Sequence, residues 1–151
     1  MNYKETLFFV AKCLTLDQNP EKIAEVKTEI HKNQINWEEV VKLSSGQFVM
    51  PALYLQFKRH GLLPDLPEDL VEYLEDITNK NRARNQAILK QTEEIISLLQ
   101  AHKIAPVFLK GVAHLLEGLY TDIAERMIGD IDFLVPEDKM VEAAEILIKN
   151  G

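Results

Sequence analysis

Apolar residues recur at helical spacing through the first hundred positions of this chain. Residues 3–14 are apolar with Lys and Glu interspersed, which predicts a first helix. Asn19-Pro20 sets a capping residue before a proline at the first helical position, and Ile23, Val26 and Ile30 continue as a stripe. Asn36 and Glu39 have capping-box spacing ahead of a helix to about Leu43, which Ser44-Ser45-Gly46 is expected to break. Residues 51–60 read as a short helix closed at Gly61, and Leu62 to Leu66, with Pro64, as a loop. Pro67 then opens a long helix to about Lys103, acidic at its start through Glu68, Asp69 and Glu72. Thr78-Asn79 is the one place where it is expected to be interrupted.

The stripe of that long helix runs through Leu70, Leu74, Ile77, Ile88, Ile95 and Leu99. Asn81, Arg84 and Asn85 break it midway. Two readings stand. These polar groups make a solvated gap or hydrogen-bond to a crossing element, as buried polar groups do. Alternatively, Arg82 or Arg84 leans over a ligand site, since Lys80, Arg82, Arg84 and Lys90 form the most basic stretch of the chain.

Beyond residue 103 the pattern changes. Ala105 to Leu109 is a short apolar run ended by Lys110-Gly111, and Val112, Leu115, Leu116 and Leu119 follow at helical spacing, so a strand at 105–109 and a helix at 111–121 are expected. Gly129-Asp130-Ile131-Asp132-Phe133-Leu134-Val135 reads as a second, buried strand, with a last helix at 137–150. The fold expected is α+β. A helical domain over residues 1–103 precedes a small, incomplete sheet over 104–151. A two-stranded sheet is marginal alone, so its open edge is expected to be covered by neighbouring elements or by a second copy of the chain.

The two acids are the main chemical clue. Side chains alternate along a strand, so Asp130 and Asp132 share a face, roughly 6.6 Å apart at about 3.3 Å per residue. Adjacent carboxylates repel, and a cation between them relieves this. Mg²⁺ is commonly held by one or two carboxylates plus substrate phosphates. The solvated face of an edge strand is the plainer reading of the same tripeptide. Strand, glycine and helix start at Lys110-Gly111 is a geometry that suits an anion. Gly111 permits close backbone approach, and Lys110 adds a point charge suited to phosphate. Arg126 is a further candidate phosphate contact, or a partner of Glu125 or Asp122.

These motifs resemble a known family. Leu109-Lys110-Gly111, followed by Arg126-Met127-Ile128-Gly129-Asp130-Ile131-Asp132-Phe133-Leu134-Val135, is similar to the nucleotidyltransferase superfamily typified by DNA polymerase beta. More narrowly it resembles uncharacterised bacterial nucleotidyltransferase proteins. Asn36-Trp37-Glu38-Glu39 and Met50-Pro51-Ala52-Leu53-Tyr54 resemble segments of their helical region. The resemblance is specific over residues 107–135. It implies Asp130 and Asp132 as catalytic ligands of Mg²⁺ or Mn²⁺, and Lys110, Gly111, Arg126 and Gly129 as nucleotide-binding residues. It also implies a nucleoside triphosphate and an unidentified acceptor as substrates. Two departures qualify this. The superfamily's Gly-Ser or Gly-Gly turn is Gly111-Val112 here, which removes a hydroxyl from phosphate binding. The third carboxylate of the superfamily has no counterpart in the sequence, so the chain is expected not to turn over nucleotide alone.

Composition narrows the class. The hydrophobic fraction of 46% suits a packed core. The single cysteine, Cys13, allows no internal disulfide and sits in an apolar run as a small core residue. His31, His60, His102 and His114 have no mutual metal spacing. No stretch approaches the ~18 apolar residues of a membrane span, and no signal peptide is evident, so a cytoplasmic protein with no membrane partner is expected. A net charge of −7 argues against a general nucleic-acid binder but not against a nucleotide held through a metal. Two functions remain open: metal-dependent nucleotidyl transfer, and a non-enzymatic nucleotide- or partner-binding helical module.

Overall fold

The computed structural model describes residues 1–150. The chain is α+β and mostly helical, with one two-stranded sheet. It divides into two compact units: Met1–Asn81 with Ala124–Met127, and Arg82–Ile123 with the residues from Ile128 onward.

The first unit holds α1 (Tyr3–Leu14), α2 (Ile23–His31), α3 (Trp37–Gly46), α4 (Met50–Arg59) and the first part of α5 (Glu68–Ala101). A capping box starts α1: Asn2 accepts from the Glu5 amide, and the Glu5 carboxylate accepts from the Asn2 amide. Asn36 caps α3 by accepting from the Glu39 amide at 3.2 Å. Asn19 makes no side-chain cap. Its amide group bonds back to Thr15, and a 3₁₀ turn at Pro20–Lys22 leads into α2 instead. Helix α3 runs through Ser44 and Ser45 to Gly46, where a break was expected from Ser44 onward. Ser44 is fully buried, so burial of its helix face overrides the local preference of serine. Gly61, at φ +66°, closes α4 with bonds from the Gly61 and Leu62 amides back to Lys58 and Phe57.

Phe9, Val10, Cys13, Leu53, Tyr54 and Phe57 centre one contiguous core that also takes in Leu70, Leu74 and Ala124. Phe9 packs edge-on against Trp37 with ring centroids 6.0 Å apart. Cys13 is fully buried, and burial pushes its thiol far above the ordinary range, so it is a packing residue and not a nucleophile.

Helix α5 is continuous through Thr78-Asn79. The Thr78 hydroxyl donates to the Leu74 carbonyl at 2.7 Å, which satisfies it within the helix. The second unit contains β1 (Val107–Phe108), α6 (Lys110–Leu116), β2 (Phe133–Leu134) and α7 (Met140–Asn150), with a 3₁₀ turn at Glu137–Lys139 before α7. The strands are antiparallel, with Val107 opposite Leu134 and Phe108 opposite Phe133. They are shorter than the expected 105–109 and 129–135. Helix α6 stops at Leu116, not near 121. Gly118, at φ +67°, takes the left-handed position, and the Gly118 and Leu119 amides return to Leu115 and His114. Two small cores fill this unit. Val112, Leu115 and Ile128 form one with Ile88 and Ile131; Leu99, Ile104, Ala143 and Ile146 form the other with Phe133 and Val135.

Candidate functional site

The segment carrying Asp130 and Asp132 immediately precedes β2 and is not itself paired strand. Its apolar positions nevertheless face the cores. Ile131 packs into the first small core of the second unit, and Phe133 and Val135 pack into the second. The even positions turn outward: Asp130 is exposed, Asp132 half-exposed, and Leu134 mostly exposed. The two acids therefore share the outward parity, as their spacing implies.

One hydrogen bond extends the ladder past β1. The Leu109 amide donates to the Asp132 carbonyl at 2.9 Å. This registers the Lys110-Gly111 turn beside Ile131 and the two acids. The Lys110 ammonium lies 2.8 Å from Asp132 Oδ2. Its hydrogen bond to Asp132 and the charge of Asp132 raise the Lys110 pKa, and Asp130 adds a smaller attraction of the same sign. A group raised in this way keeps its stabilising charge below its ordinary pKa and loses it only at higher pH, so the pair is intact at neutral pH. It is an exposed pair and contributes little to stability.

The turn has a feature that the sequence did not reveal. Lys110, not the glycine after it, takes the left-handed backbone, at φ +52°. Side-chain-bearing residues rarely adopt this conformation, and such positions collect at functional sites. Gly111 has a different reason to be glycine. A Cβ there would lie 3.0 Å from Ile128 Cγ1 and 3.3 Å from its Cδ1. The close approach that Gly111 permits is thus made to Ile128, inside the unit's own core. At Gly129 an added Cβ would meet nothing within 4 Å.

The polar interruption in α5 falls opposite the irregular segment before Asp130. In the second unit, Asn85 is fully buried and donates to the Ile123 carbonyl at 2.6 Å. Arg82 makes a two-pronged contact with Asp122, at 3.1 Å from Nε and 2.7 Å from Nη2. Arg84 Nη2 donates to the Gly129 carbonyl at 3.3 Å. In the first unit, Asn81 donates to the carbonyls of Ala124 at 2.8 Å and Arg126 at 3.0 Å. These side chains satisfy a stretch of backbone that has no ladder of its own. Arg126 belongs to the first unit, while Lys110, Gly111, Gly129, Asp130 and Asp132 all belong to the second. Of the two acids considered as its partners, Asp122 meets Arg82 and Glu125 meets Arg59.

Asp130 and Asp132 supply hard oxygen donors suited to Mg²⁺ or Mn²⁺ acting with substrate phosphates. Among the described residues, no group of three or more His, Cys, Asp or Glu side chains is placed to hold a metal. The donor set fits a cation shared with a ligand, not a closed protein cage. A separate concavity of about 940 Å³, lined by Phe8, Phe9, Lys12 and Glu29 among others, lies on the N-terminal helices. Its Lys12 is already paired at 2.6 Å with both Glu25 and Glu29, and no Asp-x-Asp pair lines it.

A family model described as an uncharacterised nucleotidyltransferase matches residues 33–151. The chain belongs to this nucleotidyltransferase family. The match covers both the helical region from residue 33 and the segment bearing the two acids. No curated protein and no solved structure matches the chain. The family supports nucleotidyl transfer in general as the activity. No helix among the described residues is long and apolar enough to cross a membrane.

Proposed function

We propose that the second unit carries a divalent-cation-dependent nucleotidyl-transfer site, in which Asp130 and Asp132 hold Mg²⁺ or Mn²⁺ against the phosphates of a nucleoside triphosphate. The observation that carries this reading is the convergence of Lys110 on Asp132, with Asp130 at the same outward parity, in a chain of the nucleotidyltransferase family. In the transfer, the acceptor oxygen bonds to the α-phosphorus and the bond to the β-phosphate breaks, releasing pyrophosphate. The cation would neutralise developing phosphate charge and align the reacting oxygens. Lys110 binds the phosphates as a point charge. The left-handed backbone at Lys110, and the packing of Gly111 on Ile128, fix where that charge sits.

A second reading has its own support. Only two acids converge, and among the described residues no third metal-holding group joins them. With two ligands the site binds a cation–nucleotide complex but lacks a base for the acceptor hydroxyl. We therefore propose that this chain binds nucleotide with metal and releases pyrophosphate poorly by itself.

Calorimetric titration with a nucleoside triphosphate, with and without Mg²⁺, tests the proposal. Binding should require the cation and should be lost in the Asp130→Asn, Asp132→Asn double variant. Unchanged cation-dependent binding in that variant would place the site elsewhere. Rapid pyrophosphate release by the wild-type chain, lost in the same variant, would show that an acid outside this pair completes the site.

A further inference from the structure

We infer that Arg84 is the arginine that grips the triphosphate, a step that rests on the nucleotide site proposed above. The chain has four arginines. Arg59 is occupied by Asp17 and Glu125 in the first unit. Arg82 is occupied by its two-pronged contact with Asp122. Arg126 belongs to the first unit. Arg84 belongs to the second unit and is exposed. Its contact is one long bond, 3.3 Å, to the carbonyl of Gly129. Among the described residues no carboxylate pairs with it.

The position of that bond matters. The Gly129 carbonyl belongs to the peptide group that leads directly into Asp130. A guanidinium bonded there meets the residue that immediately precedes Asp130 in the chain. A guanidinium has five N–H donors, and the Gly129 carbonyl takes one. The remaining fork matches the geometry of a phosphate, which Arg binds through two parallel bonds.

Charge balance points the same way. Asp130 and Asp132 against Lys110 alone leave the site net negative, in a chain that already carries −7. A metal–triphosphate complex is still an anion, so this arrangement would repel it. A second cation beside the site brings these side chains to neutrality and removes that repulsion. Arg84 lies near the middle of α5, within a continuous helix, so its backbone is set before any ligand arrives. The buried Asn85 beside it, bonded to Ile123, ties that part of α5 to the segment before the acids.

Calorimetry on the full chain separates the possibilities. The probes are a non-hydrolysable nucleoside triphosphate analogue with Mg²⁺, the corresponding nucleoside, and Mn²⁺ alone. Arg84→Gln should weaken the triphosphate by about tenfold, the scale of one lost charge-assisted pair. Nucleoside binding and Mn²⁺ binding should not change, and neither should the melting temperature. Arg84→Lys should recover part of the loss, because it restores charge without the fork. If Arg84→Gln binds triphosphate like the wild type while the double Asp variant does not, Arg84 is overturned and the site stands. If Arg84→Gln lowers Mn²⁺ binding and melting temperature together with triphosphate binding, Arg84 only props the Gly129 segment and the inference fails. If the wild type binds no triphosphate, the site and the inference fall together.

Discussion

The two compact units are built on different economies of contact. In the first, α1 to α4 and the start of α5 gather their apolar residues into one cluster, with Cys13, Leu16, Val26 and Phe57 fully buried. In the second, the apolar residues split into two small clusters. Beside its small clusters the second unit has side-chain hydrogen bonds to irregular backbone, from Asn85 to Ile123 and from Arg84 to Gly129. A large core fixes a shape and offers no chemistry. A segment held by a few polar contacts can present charged groups outward, and both acids and Lys110 are presented on that segment or beside it. The larger apolar core lies in the first unit and the candidate chemistry in the second.

Core truncations should show this difference most strongly. Phe57→Ala empties a fully buried site in the larger cluster and should cost about 3–5 kcal/mol. Leu99→Ala removes an equally buried residue from a small cluster that can collapse, and should cost about 2 kcal/mol, near the lower end of such changes. Urea unfolding measures both costs. Fluorescence of the single tryptophan, Trp37, reports the first unit and should register Phe57→Ala directly. Equal costs would erase the contrast between the units.

Gly111 comes next. Gly111→Ala drives a Cβ against Ile128 and should cost about 1–3 kcal/mol. Ile128→Val removes the Cδ1 contact and should recover part of this in the double variant, a coupling that a double-mutant cycle reads out. Additive effects would mean that Gly111 serves the turn and not the packing.

The smallest effect is electrostatic and belongs to the first unit. Burial opposes the charge on Asp17, but the Gln56 amide, Arg59 and His60 outweigh it and hold the carboxyl below its ordinary value. Such a group contributes stability that is present above its unfolded pKa and lost as pH falls through the lower folded one. The wild type should therefore lose stability on acidification below about pH 4. Asp17→Asn should flatten that part of the profile. An unchanged profile would show that Asp17 is not the acid-sensitive group.

Much of the helical region was legible because its signals are local. Asn36 caps α3, Gly61 closes α4, and the stripe from Leu70 to Leu99 marks α5. Gly118 is an equally local stop signal for α6, while Leu119, one of the apolar positions on which a helix to 121 was expected, is 62% exposed. The outward parity of Asp130 and Asp132 was also legible, since alternation needs only that Ile131, Phe133 and Val135 turn inward. The length of the paired strands was not, because pairing depends on where two small cores lie. The polar interruption at Asn81, Arg84 and Asn85 was visible as a pattern, but its partners are carbonyls 38–45 positions away. No local pattern encodes them. Nor could the pattern say that Lys110, and not Gly111, bears the positive φ.

The most direct test of the central claim locates the cation. Amide spectra of the full chain should be recorded with a non-hydrolysable nucleoside triphosphate analogue while Mn²⁺ is added. Paramagnetic broadening should begin at Lys110, Gly111 and Asp130 to Asp132. The Asp130→Asn, Asp132→Asn double variant should show none of it. Broadening centred on Glu25 and Glu29, or on Asp17, or persisting at the 110–132 positions in the double variant, would contradict the assignment of the metal–nucleotide site to these two acids.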